Sequence, residues 1–281
     1  MYIYKQLPSS VWSAAGGPSI GSPSDKATPT RAGRFIIASI AQHTSESRWR
    51  YSTIPWGAPL RLNKQSFIEL QVGGRWRLLS SFPGWESYGK DPLKGFLELH
   101  EYYLSLLADV NGDFGRPLNT PFPRDWDLAL PTTWVFNDFG PTAVKYFVDY
   151  NHNRKLDRVA RPGQRKEEIL SDFLHTTPPD ELAYKLAQQI PNHYKVKLLD
   201  SHGCVHMDPA AMRQLVDRGV LRVGAQLEIH PYSEAGLPPL TFTRTWGEVG
   251  TEIHFFPWSR RLVLYKVTKQ TTSLSLHPAH G

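Results

Sequence analysis

The chain of 281 residues holds a single cysteine. An internal disulfide is therefore impossible, and a multi-cysteine zinc site is excluded. It also lacks any run of about 18 apolar residues, the length a membrane-spanning helix needs. Blocks of like charge are missing as well: 32 Lys and Arg and 26 Asp and Glu are scattered along the chain, for a net charge of +6. A modestly basic surface is compatible with nucleic acid, anionic lipid or an anionic wall polymer, and charge alone selects none of these. Neither an internal repeat nor a linker long enough to cut the chain is visible. The opening Met1-Tyr2-Ile3-Tyr4-Lys5 lacks the basic region and apolar stretch of a secretory signal.

What is present points to many short strands and turns. There are 21 Gly and 23 Pro, and aromatics make up 12%, so a mainly β fold with additional helices is expected. Residues 8–34, rich in Pro, Gly, Ser and Thr, read as an extended loop segment. Strands are expected at 35–40, 134–136, 143–148, 223–229, 251–256 and 261–267. Residues 67–79 read as a hairpin turning at Gly73-Gly74, and 109–133 as loop. Helices are expected at 95–108, 163–173 and 180–190, the last capped by Asp180. The clearest helix follows Asp208 as N-cap, with Pro209 at its first position and Gly219 closing it.

The lone Cys204 is either buried filler or a nucleophile, and its neighbours favour the nucleophile. They read Asp200-Ser201-His202-Gly203-Cys204-Val205-His206-Met207. A thiol attacks as thiolate, so an imidazole must take its proton or stabilise the anion. Gly203 removes a side chain beside the sulfur and lets backbone N–H groups face a developing oxyanion. Other readings stay open. His202, Cys204 and His206 alternate and would share one face of a strand, a conceivable metal trio with Asp200 or Asp208. His193, His230 and His254 are alternative bases. Asp149, Asn151, Asn153 and Asp157 have the spacing of a calcium loop without its central Gly or terminal Glu, and Asp109-Val110-Asn111-Gly112-Asp113 is a shorter echo. Trp56, Trp85 and Trp134 are candidates to line a glycan groove.

Ser201-His202-Gly203-Cys204-Val205 resembles the Ser/Thr-His-Gly-Cys signature of the L,D-transpeptidase (YkuD-like) family, with His206 where that family usually has Arg. Gly224-Ala225-Gln226-Leu227-Glu228-Ile229 resembles its closing strand. Three weaker pieces occur in the family's order: Thr28-Pro29-Thr30-Arg31-Ala32-Gly33-Arg34-Phe35, Leu130-Pro131-Thr132-Thr133-Trp134, and Phe173-Leu174-His175-Thr176-Thr177 with Thr176 in place of Gly. The resemblance touches residues 28–230 and is dense only at 173–177 and 201–229.

The resemblance implies a YkuD-like β-sandwich with long insertions. Residues 1–230 would be the catalytic domain, interrupted at about 41–128 and 149–172. Residues 231–281 would be a C-terminal β extension packed on the same domain. Cys204 would be the nucleophile, His175 the general base, and Thr176 the residue orienting the imidazole through its carbonyl. Ser201, His202 and Gly203 would complete the catalytic loop, the last two with Cys204 supplying oxyanion-hole amides. His206 and Trp134 would contact substrate. The implied partner is a peptidoglycan stem peptide, with no cofactor, no resident metal and no nucleic acid. The insertions offer a surface for a protein partner. Action in the periplasm or cell wall would need an export route that the chain does not display, such as delivery as an effector.

Overall fold

Along Gln226–Ile229, Leu227 and Ile229 point into one apolar layer while Glu228 points to the opposite face. This two-residue alternation sets the architecture of the sheet. The computed structural model describes residues 1–22, 24, 26–45, 49–111, 130–160, 162–190 and 194–270. Within them the strands are β1 (Tyr2–Ala15), β2 (Gly33–Ala41), β3 (Leu60–Leu62), β4 (Ile68–Val72), β5 (Arg75–Leu78), β6 (Ala143–Phe147), β7 (Ile169–His175), β8 (Val205–Met207), β9 (Gln226–Ile229), β10 (Thr241–Arg244), β11 (Gly250–Phe256) and β12 (Arg261–Lys269). The α-helices are α1 (Pro92–Asn111), α2 (Pro178–Gln189) and α3 (Pro209–Asp217). The protein is mainly β.

Nine strands form one mixed sheet in the order β10-β1-β12-β11-β9-β2-β6-β7-β8, and β1 also pairs with β8, so the sheet closes on itself. Closure removes an exposed edge that would otherwise invite pairing with another chain. The enclosed core includes Phe35, Ile37, Val144, Tyr146, Leu174, Val205, Leu227, Ile253 and Phe255. β10, β11 and β12, from the C-terminal 50 residues, belong to this same sheet. A second core forms between the three-stranded sheet β3-β4-β5, α1 and α2 around Trp85 and Trp134. The hairpin turn holds Gly73 and Gly74 at φ of +61° and +76°, as its pairing requires. No helix among the described residues is long and apolar enough to cross a membrane.

Several expectations are corrected. Residues 8–15 are not loop but part of β1. Non-local pairing with β12 and β8 overrides the local composition, and Pro8 and Ser9 fall at a register shift between Gln6 and Val11. The helix expected at 163–173 gives way to β7, held on both sides by antiparallel β6 and parallel β8. Residues 134–136 form no strand. Asp180 is not the cap of α2: Thr177 is, its hydroxyl accepting the Asp180 N–H at 3.4 Å, with Pro178 inside the first turn. The loop expected from 109 is helical to Asn111, and 112–129 lie outside the described residues. Asp208 does cap α3, accepting the Ala211 N–H at 3.0 Å.

Leu227 is fully buried in a strand flanked on both sides. Leu227→Ala should destabilise the protein by about 2–5 kcal/mol, read as a lowered urea midpoint with an unchanged slope.

Candidate active site

β7 and β8 run parallel with Leu174 opposite Val205 and His175 opposite His206. Leu174 and Val205 enter the closed core. By alternation, Phe173, His175 and His206 lie on the other face, and Cys204, immediately before β8, packs there with Phe139, Ala143 and Phe173. The Phe173 N–H donates to Cys204 Sγ at 3.4 Å. The His175 and His206 rings meet edge to face at 5.0 Å.

Both imidazoles are oriented by backbone carbonyls. His175 Nδ1 donates to its neighbour, Thr176 O, at 2.7 Å, and His206 Nδ1 to Leu199 O at 2.8 Å. A carbonyl only accepts, so each Nδ1 carries the proton and each Nε2 keeps a basic lone pair. Burial, and then the adjacent His206, push the His175 pKa down to about 3. Burial likewise lowers that of His206.

The cysteine loop is clamped from the N-terminal segment. Thr28 donates its hydroxyl to His202 O at 3.1 Å, and Thr30 donates to Cys204 O at 3.4 Å. Ser201, buried, accepts the Gly203 N–H at 3.0 Å, donates to Cys204 O, and takes Gly16 O through its own N–H at 2.9 Å. The Gly203 amide is thus committed to Ser201 rather than aimed at substrate. Gly203 has φ +131°, and a Cβ there would lie 2.9 Å from Thr28 Oγ1 and 3.3 Å from Asp172 Oδ1. Glycine is required by both backbone and space.

Thr176 stands where the resembled signature has glycine. Its side chain fits because Gly140, at φ +59°, opposes it: a Cβ on Gly140 would come within 2.1 Å of Thr176 Oγ1. Gly140 was not legible as a site residue, because only the fold brings it against Thr176. The same holds for His43 and Lys145. His43 packs on Phe139 and Phe173 at 4.5 and 5.0 Å, and its Nδ1 lies 3.0 Å from Lys145 Nζ. Burial and then Lys145 drive its pKa down to about 4.

Beside this face, His202 and His206 line a cleft of about 270 Å³, with walls from Val110 of α1, Pro179 and Ala183 of α2, and Lys197. The expected insertion at 41–128 therefore contributes a wall, through α1. Other expected positions fall elsewhere. Trp134 is fully buried in the second core, donating its indole N–H to Tyr51 O at 2.8 Å, and cannot touch a substrate. Trp85 is equally buried, whereas Trp56 lines a separate cleft of about 260 Å³.

His230 lies just beyond β9 and His254 on β11; around the closed sheet β2, β6 and β7 separate β9 from β8 on one side, and β1 and β12 separate β11 from β8 on the other. Neither can serve Cys204 as base. His193 lies outside the described residues. His202, Cys204 and His206 do not converge as metal ligands: His202 is exposed and turned toward Trp49. At the calcium-like loop, the oxygens of Asp149, Asn151 and Asn153 accept N–H groups of that loop, and Asp157 accepts the amides of Asn151 and Asn153. These are Asx turns.

Compared with protein-family models, curated proteins and solved structures, the chain matches none. The chemistry open to the site is that of Cys204, His175 and His206. They supply a half-buried thiol, two neutral imidazoles whose Nε2 atoms keep a lone pair, and a cleft alongside. That set suits proton abstraction and nucleophilic attack.

Two outcomes are expected. The folded-state pKa values of His175 and His43 lie below the unfolded value of about 6.5, so the unfolded state binds more protons between those limits. Stability should be complete above pH ~6.5 and fall as pH drops toward about 3–4. In an NMR titration, the His175 ring should stay in its Nδ1–H form from pH 8 to 5. A midpoint near 6.5 would contradict this. Second, Gly140→Ala should displace Thr176 and lower Tm, while Gly140→Ala with Thr176→Gly should recover part of that loss. Additive effects in the double-mutant cycle would show that the two do not touch.

Proposed function

We propose that this protein is a cysteine-nucleophile acyl transferase acting on peptidoglycan stem peptides, in the manner of an L,D-transpeptidase. The observation that carries the chemistry is the β7–β8 register, which sets His175, with Nδ1 fastened to Thr176 O, on the same face and adjacent strand as Cys204. The substrate class rests on the resemblance around Ser201–Cys204 and His175–Thr177. A YkuD-like β-sandwich is the finer fold that goes with this reading.

His175 Nε2 takes the proton from Cys204, and the thiolate attacks the carbonyl joining the diamino acid to D-Ala. The tetrahedral adduct collapses as the leaving amine takes the proton back from His175, and a thioester remains on Cys204. An acceptor amine or water, deprotonated by the same imidazole, then resolves it to a cross-link, an exchanged D-amino acid or a trimmed stem. A neutral His175 at physiological pH is the form this cycle begins from. Ser201 and the Thr28–Thr30 segment hold the loop. His206, in the place of the resembled family's Arg, meets substrate as a neutral hydrogen-bonding group rather than a cation. The cleft between α1 and α2 receives the stem peptide. The site of action on this reading is the periplasm or cell wall.

The test is mass spectrometry of purified tetrapeptide muropeptides incubated with the protein. Dimers, D-Ala loss or D-amino-acid exchange should be seen with wild type and be absent with Cys204→Ala. His175→Ala should slow acylation roughly 100- to 10,000-fold. If His206→Ala has that effect and His175→Ala has none, His206 is the base. Unchanged muropeptides with folded wild-type protein would refute the substrate class, and full activity in Cys204→Ala would refute the nucleophile.

A further inference from the structure

On the face of the sheet opposite the closed core, far from the cysteine in strand order, lies a buried polar cluster. Glu228 and His254 are register partners in the parallel β9–β11 pair, and His230 follows two residues after Glu228. All three are more than nine-tenths buried, and their ligand atoms lie within 4.8 Å of one another. Among the described residues no other group of His, Cys, Asp and Glu converges in this way.

The proton inventory is the informative feature. His230 Nδ1 faces Glu234 Oε2 at 2.7 Å and therefore carries a hydrogen. Its Nε2 then points a lone pair at His254 Nδ1, 2.9 Å away. On the far side, His254 Nε2 lies 3.4 Å from Glu252 Oε2, has no hydrogen-bond partner and is fully buried. If His254 is protonated on Nδ1, an orphaned lone pair opposes the Glu252 carboxylate. If it is protonated on Nε2, two lone pairs oppose each other at 2.9 Å. A positive charge at the inner nitrogens, supplied by a second proton on His254 or by a bound cation, relieves both conflicts. Glu228 adds a third donor: its Oε2 is held by Arg34 and Arg244, and its Oε1 lies 3.9 Å from His230 Nε2. Three carboxylates (Glu228, Glu234 and Glu252) against two guanidinium groups leave one negative charge (3 − 2 = 1) before any cation is added.

We propose that Glu228, His230 and His254 bind one divalent zinc ion, which staples β9 to β11. Ligand bonds of about 2.0–2.1 Å at tetrahedral angles need donors about 3.4 Å apart, and the observed spacings of 2.9 and 3.9 Å bracket that value. Each imidazole has its outer nitrogen facing a carboxylate, the arrangement that fixes tautomer and basicity in histidine–zinc sites. Phe256 stacks on His230 at 3.8 Å, and Tyr4, Phe242 and Tyr265 pack around His254, keeping the site dry. The site is independent of the acyl-transfer reading.

The experiment adds zinc chloride to the chelator-treated protein, with metal quantified after gel filtration and Tm measured with and without metal. One zinc per chain and a raised Tm are expected in wild type and in Cys204→Ala, with both lost in His230→Gln and His254→Gln. Cobalt titration of wild type provides a readout that needs no variant to fold. Visible d–d bands without a thiolate charge-transfer band support the site. A thiolate band, binding that disappears in Cys204→Ala, or a folded wild-type protein that retains no metal would overturn the proposal, the last leaving a shared proton between the two rings.

Discussion

The parallel pairing of β7 with β8 is the contact on which the candidate active site depends. Leu174 and Val205, opposite one another and buried in the core, lock the register from behind. A slip by one residue would carry His175 into the apolar layer and turn Leu174 onto the face that now holds Phe173 and Cys204, so core burial indirectly aims the candidate site. β8 has only three residues, and by itself it would pair weakly. Its second partner, the end of β1, closes the sheet, while the hydroxyls of Thr28, Thr30 and Ser201 fix the turn that leads into it. The Cys204 loop is thus held by hydroxyl contacts to its backbone, and its thiol by the Phe173 N–H.

The two polar regions on the outer face of the sheet are organised differently. Around Cys204 the rings of His175, His206 and His43 are kept neutral by burial, and carbonyl partners set which nitrogen is basic. Around His254 the imidazoles are ringed by carboxylates and guanidinium groups, so charge is concentrated rather than removed. The first arrangement suits transient proton transfer. The second suits a resident cation, because two ring nitrogens 2.9 Å apart in a buried site need a positive centre, proton or metal, between them.

The second core gives the cleft its walls. α1 and α2 bury Leu99, Tyr103, Leu106, Leu107, Leu182, Ala183 and Leu186 together with Trp85 and Trp134. Its aromatic mass therefore acts at a distance, by positioning α2 directly after His175-Thr176-Thr177 rather than by touching a ligand. Gly140 shows the same indirectness: it frees space for Thr176, whose carbonyl orients His175.

Local signals were enough for the elements whose determinants are local. The Gly73-Gly74 hairpin, the Asp208–Pro209 start of α3 and the strands at 35–40, 143–148, 251–256 and 261–267 follow from turn chemistry, capping and alternation within a few residues. Cys204 and His175 were legible as candidates because glycine and histidine crowd the one cysteine and because short motifs recur in order. Long-range pairing decided the rest. β1 was hidden by Pro8 and Ser9, since a bulge can absorb them only when β12 is present. β7 read as helix because its extended form is set by β6 and β8. Trp134 read as a candidate substrate contact, whereas the second core encloses it. His43, Gly140 and the Glu228–His230–His254 cluster carry no local mark, because each depends on which strands become neighbours. That choice is made by the total burial of apolar faces in a closed sheet, a quantity no short stretch of sequence contains.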